Sequence, residues 1–362
     1  MAKNGSRWGM TDFLYFCEKN LVISAEACYN SNRKSARRTC GTNMEGTRGI
    51  VDYVVEKRWD GDTVLSVIKK ELGISGSVLR HLKFLENGIL LNGERVTVRR
   101  TVHEGDLLSL ATEDEVPQEH LLPVDLPLSI VYEDADVVVP SKPADMPTHP
   151  SHNHHEDTVA NALAFRYREM GIPFVFRPVN RLDRNTSGLV LIARNRLAAG
   201  ALSAAMREGR IRKQYLAVLD GVPSSPEGVI ETYIRRTAAS MIVREVCAEG
   251  EGGDRAVTHY RVLAEGDGHA LVLASPITGR THQLRVHFAH LGCPITGDDM
   301  YGTPSPMIAR HALHAYTLVF PRPSDGESLS LCAPLPEDMA LLVHELFGDD
   351  PQLNFSEQGT FA

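Results

Sequence analysis

A chain of 362 residues is long enough for about two domains, and 43% hydrophobic content is ordinary for one that buries a real core. No apolar run approaches the roughly 20 residues a bilayer span requires, and Phe13-Leu14-Tyr15-Phe16 is too short for a signal-peptide core; six cysteines without a Cys-x-x-Cys pair argue against both zinc and a disulfide framework, so a cytoplasmic protein with reduced thiols is expected. The net charge of -8 weighs mildly against nucleic-acid binding and leaves only local charge to support it.

In chain order, residues 1–47 come first. The first 43 of them hold three of the six cysteines and seven basic against three acidic residues, with no sustained periodicity. A start of translation at Met44 and a flexible basic arm are the two readings of this extension. Residues 48–112 then form a small module. Val64, Leu65, Val67, Ile68 and Leu72 have helical spacing from Thr63 to Leu72, with Gly73 as a stop. A second helix runs from Ser77 to Leu85, Ile89-Leu90-Leu91 and Arg95-Val96-Thr97-Val98 make a hairpin about Asn92-Gly93, and Gly105 to Leu110 closes with a strand. This layout resembles the small RNA-binding domain shared with the fourth protein of the small ribosomal subunit, with its Asn92-Gly93 and Gly105-Asp106 pieces. Ser75-Gly76-Ser77 lacks the arginine usual there. The resemblance assigns RNA docking to Lys69, Lys70, Arg80 and Lys83, whereas their charge alone reads equally as a solvated helix face.

Residues 113–127, rich in acid and proline, read as a linker, and 349–362 as a tail. Between them, 128–348 carry many short strands with a few helices, which favours an α+β fold with a mixed, largely antiparallel sheet and a central cleft. His149, His152, His154 and His155 precede a helix that Asp157 would cap, and their spacing does not enforce a metal site. Leu189 to Ala193 reads as a buried strand, so Asn185 to Gly188 form the turn feeding it and Asp183, between Arg181 and Arg184, sits just outside the sheet edge. A neighbouring cation favours the charged form of a carboxylate, which suits a nucleophile or an electrostatic stabiliser. A surface ion pair or turn cap is the plainer reading. Tyr215 lies in the alternating run Tyr215 to Leu219 and by pattern alone is a core tyrosine, while Arg285, on a helix, could serve as a surface ion-pair former. Glu249 to Asp254 reads as a hairpin tip and Pro334 to Leu346 as a closing amphipathic helix.

Five segments in order raise these residues above the plainer readings. They are Ser141-Lys142-Pro143-Ala144-Asp145-Met146-Pro147-Thr148-His149-Pro150, Asn180-Arg181-Leu182-Asp183-Arg184-Asn185-Thr186-Ser187-Gly188, Lys213-Gln214-Tyr215-Leu216-Ala217, Thr278 to His287 continued by Gly297-Asp298 and Tyr301-Gly302, and Ala312-Leu313-His314-Ala315. Together they resemble the motifs of the RluA family of RNA pseudouridine synthases over roughly residues 128 to 345. Asn180 and Asp145 stand where that family usually has histidine and glycine, and Arg322 where it commonly has histidine. A changed hydrogen bond is expected at Asn180; at Asp145 a turn would be strained if the position needs positive φ, a conformation aspartate tolerates better than most residues.

The resemblance implies isomerisation of uridine in RNA to pseudouridine on a base taken out of its stack. Asp183 would be the nucleophile, attacking either the sugar or the base, and Arg285 would pair with it, ahead of Arg280. Tyr215 would stack on the base and help move a proton, and Arg181 would fill the space the base vacates. Arg280, His282 and Gln283 would contact RNA, and Asp298 would be structural. No metal or organic cofactor is implied. The partner is RNA, ribosomal RNA favoured over transfer RNA, with neither DNA nor membrane, and the protein is expected to be monomeric. An RNA-binding protein without catalysis and a glycosidic hydrolase, which normally needs a second carboxylate, are the competing classes.

Overall fold

Why the chain builds two separate sheets follows from where its apolar runs end. The computed structural model describes residues 50–111 except 73 and 75, and residues 121–348 except 152. The N-terminal extension, the start at Met44, Gly73, Ser75, His152, most of the linker and the C-terminal tail lie outside the described residues.

The first sheet is antiparallel, in the order β1 (Ile50–Val54), β4 (Leu107–Ala111), β2 (Ile89–Leu91), β3 (Glu94–Arg95). Val64, Val67, Ile68, Leu79 and Leu82 are buried in one core with Leu108 and Leu110. The helix expected over Thr63 to Leu72 is not one regular α-helix. Thr63 caps a single turn, α1 (Val64–Ser66), by accepting the Ser66 N–H at 3.3 Å, and Val67–Glu71 continues with π-helical geometry, closed by Leu72 N–H onto the Val67 carbonyl. The second helix, α2 (Gly76–Leu82), ends three residues before Leu85. Past it the chain continues in tighter turns, Phe84 N–H bonding the His81 carbonyl, and it returns so closely that a Cβ on Gly88 would lie 1.9 Å from the Leu82 carbonyl oxygen. The hairpin keeps its Asn92-Gly93 turn, both residues at positive φ, but pairing stops at Arg95. Past it the backbone turns to helix α1, where the Val98 carbonyl accepts from Leu65 N–H.

The second sheet runs through β5 (Ser129–Glu133), β6 (Val137–Lys142), β7 (Arg177–Pro178), β8 (Ser187–Leu189), β9 (Ile192–Ala193), β10 (Arg212–Asp220), β11 (Glu227–Arg236), β12 (Arg244–Cys247), β13 (Asp254–Gly266), β14 (His269–Pro276), β15 (Leu313–Pro321) and β16 (Ser328–Cys332). Its path is β12-β11-β13-β14-β10-β15-β8-β6-β9-β7, with β16 on β15 and β5 on β6. Among the described residues every pairing is antiparallel except β8 with β15. With α3 (Val159–Glu169), α4 (Arg196–Arg207), α5 (Gln283–His290) and α6 (Glu337–Phe347), this is an α+β architecture with a mixed, mainly antiparallel sheet.

Three local expectations are corrected. The strand expected over Leu189 to Ala193 is two strands, because the register opposite β6 passes Pro140, which has no N–H to give and only accepts from Val190. Helix α3 is capped by Thr158 with Asn161, while Asp157 instead meets His154 at 2.5 Å. Residues 249–254 are not a hairpin tip, since β12 and β13 flank β11 on opposite sides and the segment crosses its end.

Strand β8 is the narrow point. Gly188 has φ +110° between β6 and β15, and a Cβ there would meet the Ala315 carbonyl oxygen at 2.2 Å. Gly188→Ala therefore combines a disfavoured backbone with a backbone clash, and it is expected to cost more than about 3 kcal/mol. Denaturant unfolding of the variant at wild-type stability would overturn this.

Candidate active site

The loop from β7 to β8 carries Asp183, and its neighbours are fixed one after another. Leu182 exchanges both backbone groups with the Thr148 hydroxyl at 3.0 and 3.2 Å. Lys142 is 1% exposed, and its ammonium donates to the carbonyls of Pro143 and Met146 at 2.8 Å and to that of Arg184 at 2.9 Å. Burial, then the charge of Arg310, brings its pKa down to about 7, with Asp183 and Asp145 pulling the other way. Arg310 donates to the Asn185 carbonyl at 3.0 Å while forking onto Asp338 of α6. Thr186 and Ser187 bond His311 and His314 at 2.9 Å. Burial pushes these imidazoles down to about 3 and about 4, so both are neutral at pH 7.

Asp183 itself is only partly buried, and its Oδ2 is what its neighbours face. Arg285 Nη1 lies 3.8 Å away and His282 Nε2 3.9 Å away. Arg285 sits in α5, 5% exposed, and its strong partner is Asp298, which takes Nε and Nη2 at 2.7 Å each. The expectation that Arg285 pairs with Asp183 holds for the approach but not for the main bond. Asp298, 0% exposed, also accepts the N–H groups of Met300 and Tyr301. Burial pushes this carboxyl up, but the hydrogen bonds and charge of Arg285 outweigh that and leave it below the usual range. The 5.1 Å approach of the Arg285 guanidinium to the Tyr301 ring completes its surroundings.

Tyr215 comes from β10, where a register shift between Gln214 and Tyr215 against β15 re-aims the side chain. It is a core residue and a neighbour of the site at once. It is 7% exposed, and burial, then the charge of Asp183, raises its hydroxyl pKa.

The other expected residues separate. Arg181 is exposed on the Asp183 loop. Arg280 turns away from Asp183, donating to the Arg255 carbonyl at 3.1 Å and approaching Asp254 at 3.6 Å. Gln283 is corrected as an RNA contact. It is 4% exposed, its oxygen accepts from Thr278 and Arg280, and its amide donates to Val257 and Thr258. Every polar atom it has is committed to holding the 278–280 turn. His282 faces Asp183 and Tyr301, which sequence reasoning did not find. Its signal was a histidine opening a helix beside a motif arginine. Lys69, Lys70, Arg80 and Lys83 are exposed on the first sheet's helices and the turn after them. Asp145 adopts φ +62° and takes Arg184 Nε at 2.7 Å, and Asn180 Oδ1 accepts the Leu191 N–H at 2.7 Å, so both departures carry local bonds of their own.

A family model described as RNA pseudouridylate synthase matches residues 136–290. RNA pseudouridine synthase YjbO of Bacillus subtilis is 39% identical over 273 residues, covering 75% of this chain and 95% of that one. The chain belongs to the RluA family of RNA pseudouridine synthases. Ribosomal large subunit pseudouridine synthase D of Xanthomonas campestris is 35% identical over 315 residues, covering 83% of this synthase and 92% of its own length. The solved structure of human RNA pseudouridylate synthase domain containing 1 superposes with a TM-score of 0.50 at 33% identity, covering 59% of the synthase and 87% of the human chain. As a member of this family, the synthase isomerises uridine in RNA.

Proposed function

We propose that this synthase modifies large-subunit ribosomal RNA and that Asp183 is its nucleophile. The observation that carries the assignment is the loop itself: Leu182 and residues 184–187 are held by bonds from other elements, while the Asp183 carboxylate stands beside a buried arginine with no short bond of its own among the described residues. A fixed backbone with an uncommitted carboxylate is what covalent catalysis needs. Asp183 adds to the uridine at its sugar or its ring, the bond from the sugar to N1 breaks, and the base turns. The sugar then bonds to C5, the bond to Asp183 breaks and returns the carboxylate, C5 loses its proton and N1 gains one, so the product is an isomer of the substrate. Tyr215 stacks on the base, and its raised pKa keeps the hydroxyl protonated, a donor and not a base. Arg181, exposed on the same loop, enters the stack the base has left. The ribosomal target is supported by the relatives that bear that name.

Mapping pseudouridines across all stable RNAs of cells lacking the gene tests the reading. A large-subunit site lost on deletion and restored by the wild-type gene is the expected result; no lost site would overturn it.

The exposed cations of the first module give a separate expectation. Replacing Lys69, Lys70, Arg80 and Lys83 together by alanine should weaken RNA binding and leave the maximal single-turnover rate within about two-fold. If each contacts one phosphate, the slope of log affinity against log salt should flatten by up to about 3. An unchanged slope would remove these residues from the interface.

A further inference from the structure

Tyr301 lies under both groups that face Asp183. Its ring takes the Arg285 guanidinium, and its hydroxyl meets His282 Nδ1 at 2.8 Å. The same hydroxyl accepts the Arg244 N–H at 2.8 Å. Were it also to accept from His282, its own proton would have no acceptor among the described residues. Donation to Nδ1 satisfies that proton and leaves the imidazole hydrogen on Nε2, the atom 3.9 Å from Asp183 Oδ2. Burial keeps this imidazole's pKa low, against the pull of Asp183 and Asp298 and with help from Arg285 and Arg244.

We propose that Tyr301 and His282 are positioning residues for Asp183: Tyr301 fixes the Nε2–H tautomer of His282, His282 and Arg285 together engage Oδ2, and Oδ1 is left to attack the uridine. This rests on Asp183 being the nucleophile. At 3.8 and 3.9 Å both cationic or N–H-bearing groups lie within charge-pairing reach of the same carboxylate oxygen. His282 caps α5 with φ +57°, a conformation that asparagine adopts more readily than glutamine. The two amides thus separate backbone from side chain. Glutamine's terminal amide reaches about as far as Nε2, asparagine's only as far as Nδ1.

Two measurements on the full chain test this. Histidine side-chain ¹⁵N NMR of the free protein should show His282 protonated at Nε2, and Tyr301→Phe should mix its tautomers. Single-turnover pseudouridine formation, on total RNA from cells lacking the gene, should slow roughly 10-fold in Tyr301→Phe with the half-saturating protein concentration within two-fold. Tyr301→Leu, which also removes the ring from Arg285, should slow it further. His282→Gln should retain more activity than His282→Asn although the asparagine variant melts higher. An Nδ1–H tautomer in the wild type, an unchanged Tyr301→Phe rate, a loss confined to half-saturation, or asparagine outperforming glutamine would each overturn the proposal. Failure of the nucleophile assignment would show separately, as turnover by Asp183→Asn with the tautomer unaffected.

Discussion

Asp183→Asn is expected to bind RNA and form no measurable pseudouridine, a loss of at least about 10⁴-fold in single-turnover rate. Asparagine matches aspartate in shape but has no anionic oxygen with which to form a bond to the substrate. The fold should survive, because among the described residues the carboxylate makes only two long ion-pair approaches, to Arg285 and His282, while Arg285 keeps its fork on Asp298. Thermal unfolding should therefore move by no more than about 1 kcal/mol in stability. Turnover within ten-fold of wild type would remove Asp183 from the nucleophile's role, and a large drop in melting temperature would mean that its side chain supports the loop.

Asp298→Asn should have the largest effect on stability. Arg285 and Asp298 are 5% and 0% exposed, and an amide in place of the carboxylate leaves the guanidinium charge buried with only its longer approaches to Asp183 and Asp299. Breaking a buried pair on one side costs about 3–5 kcal/mol. Activity should fall too, because the fork on Asp298 holds Arg285 where its Nη1 faces Asp183. The pH dependence has a definite sign. A folded pKa below the unfolded value of about 3.9 means that the stabilisation is complete above that pH and lost as pH falls through the folded value. The stability gap between wild type and variant should thus be the same at pH 7 and pH 5 and narrow only below about pH 4. A gap of less than 1 kcal/mol in urea unfolding at pH 7 would show that Arg285 finds another partner.

What the sequence made legible was chemistry carried by contiguous residues. The motifs brought Asp183, Tyr215 and Arg285 into one neighbourhood, as the structure does, and the Asn92-Gly93 turn followed from the backbone it demands. Bonds between distant segments were not legible. Gln283 stands beside motif residues that face the site, so adjacency suggested RNA, yet its amide is consumed by β13. The split of the strand after Asp183 depends on Pro140 in a partner strand some fifty residues earlier, which no pattern within residues 189–193 could reveal.

The parallel pairing of β8 with β15 has a consequence for how the enzyme is made. It joins Ser187 to His314 and, beside it, Thr186 to His311 and Asn185 to Arg310, contacts that span 125 to 127 residues of chain. Such distant closures are slow and are rewarded only after the intervening chain is in place. On the ribosome Asp183 is therefore synthesised long before the residues that hold its loop, and a chain halted before Arg310 would carry Asp183 without that frame. Competence for catalysis should thus arrive among the last events of folding, well after the first module has been able to collapse onto its own core.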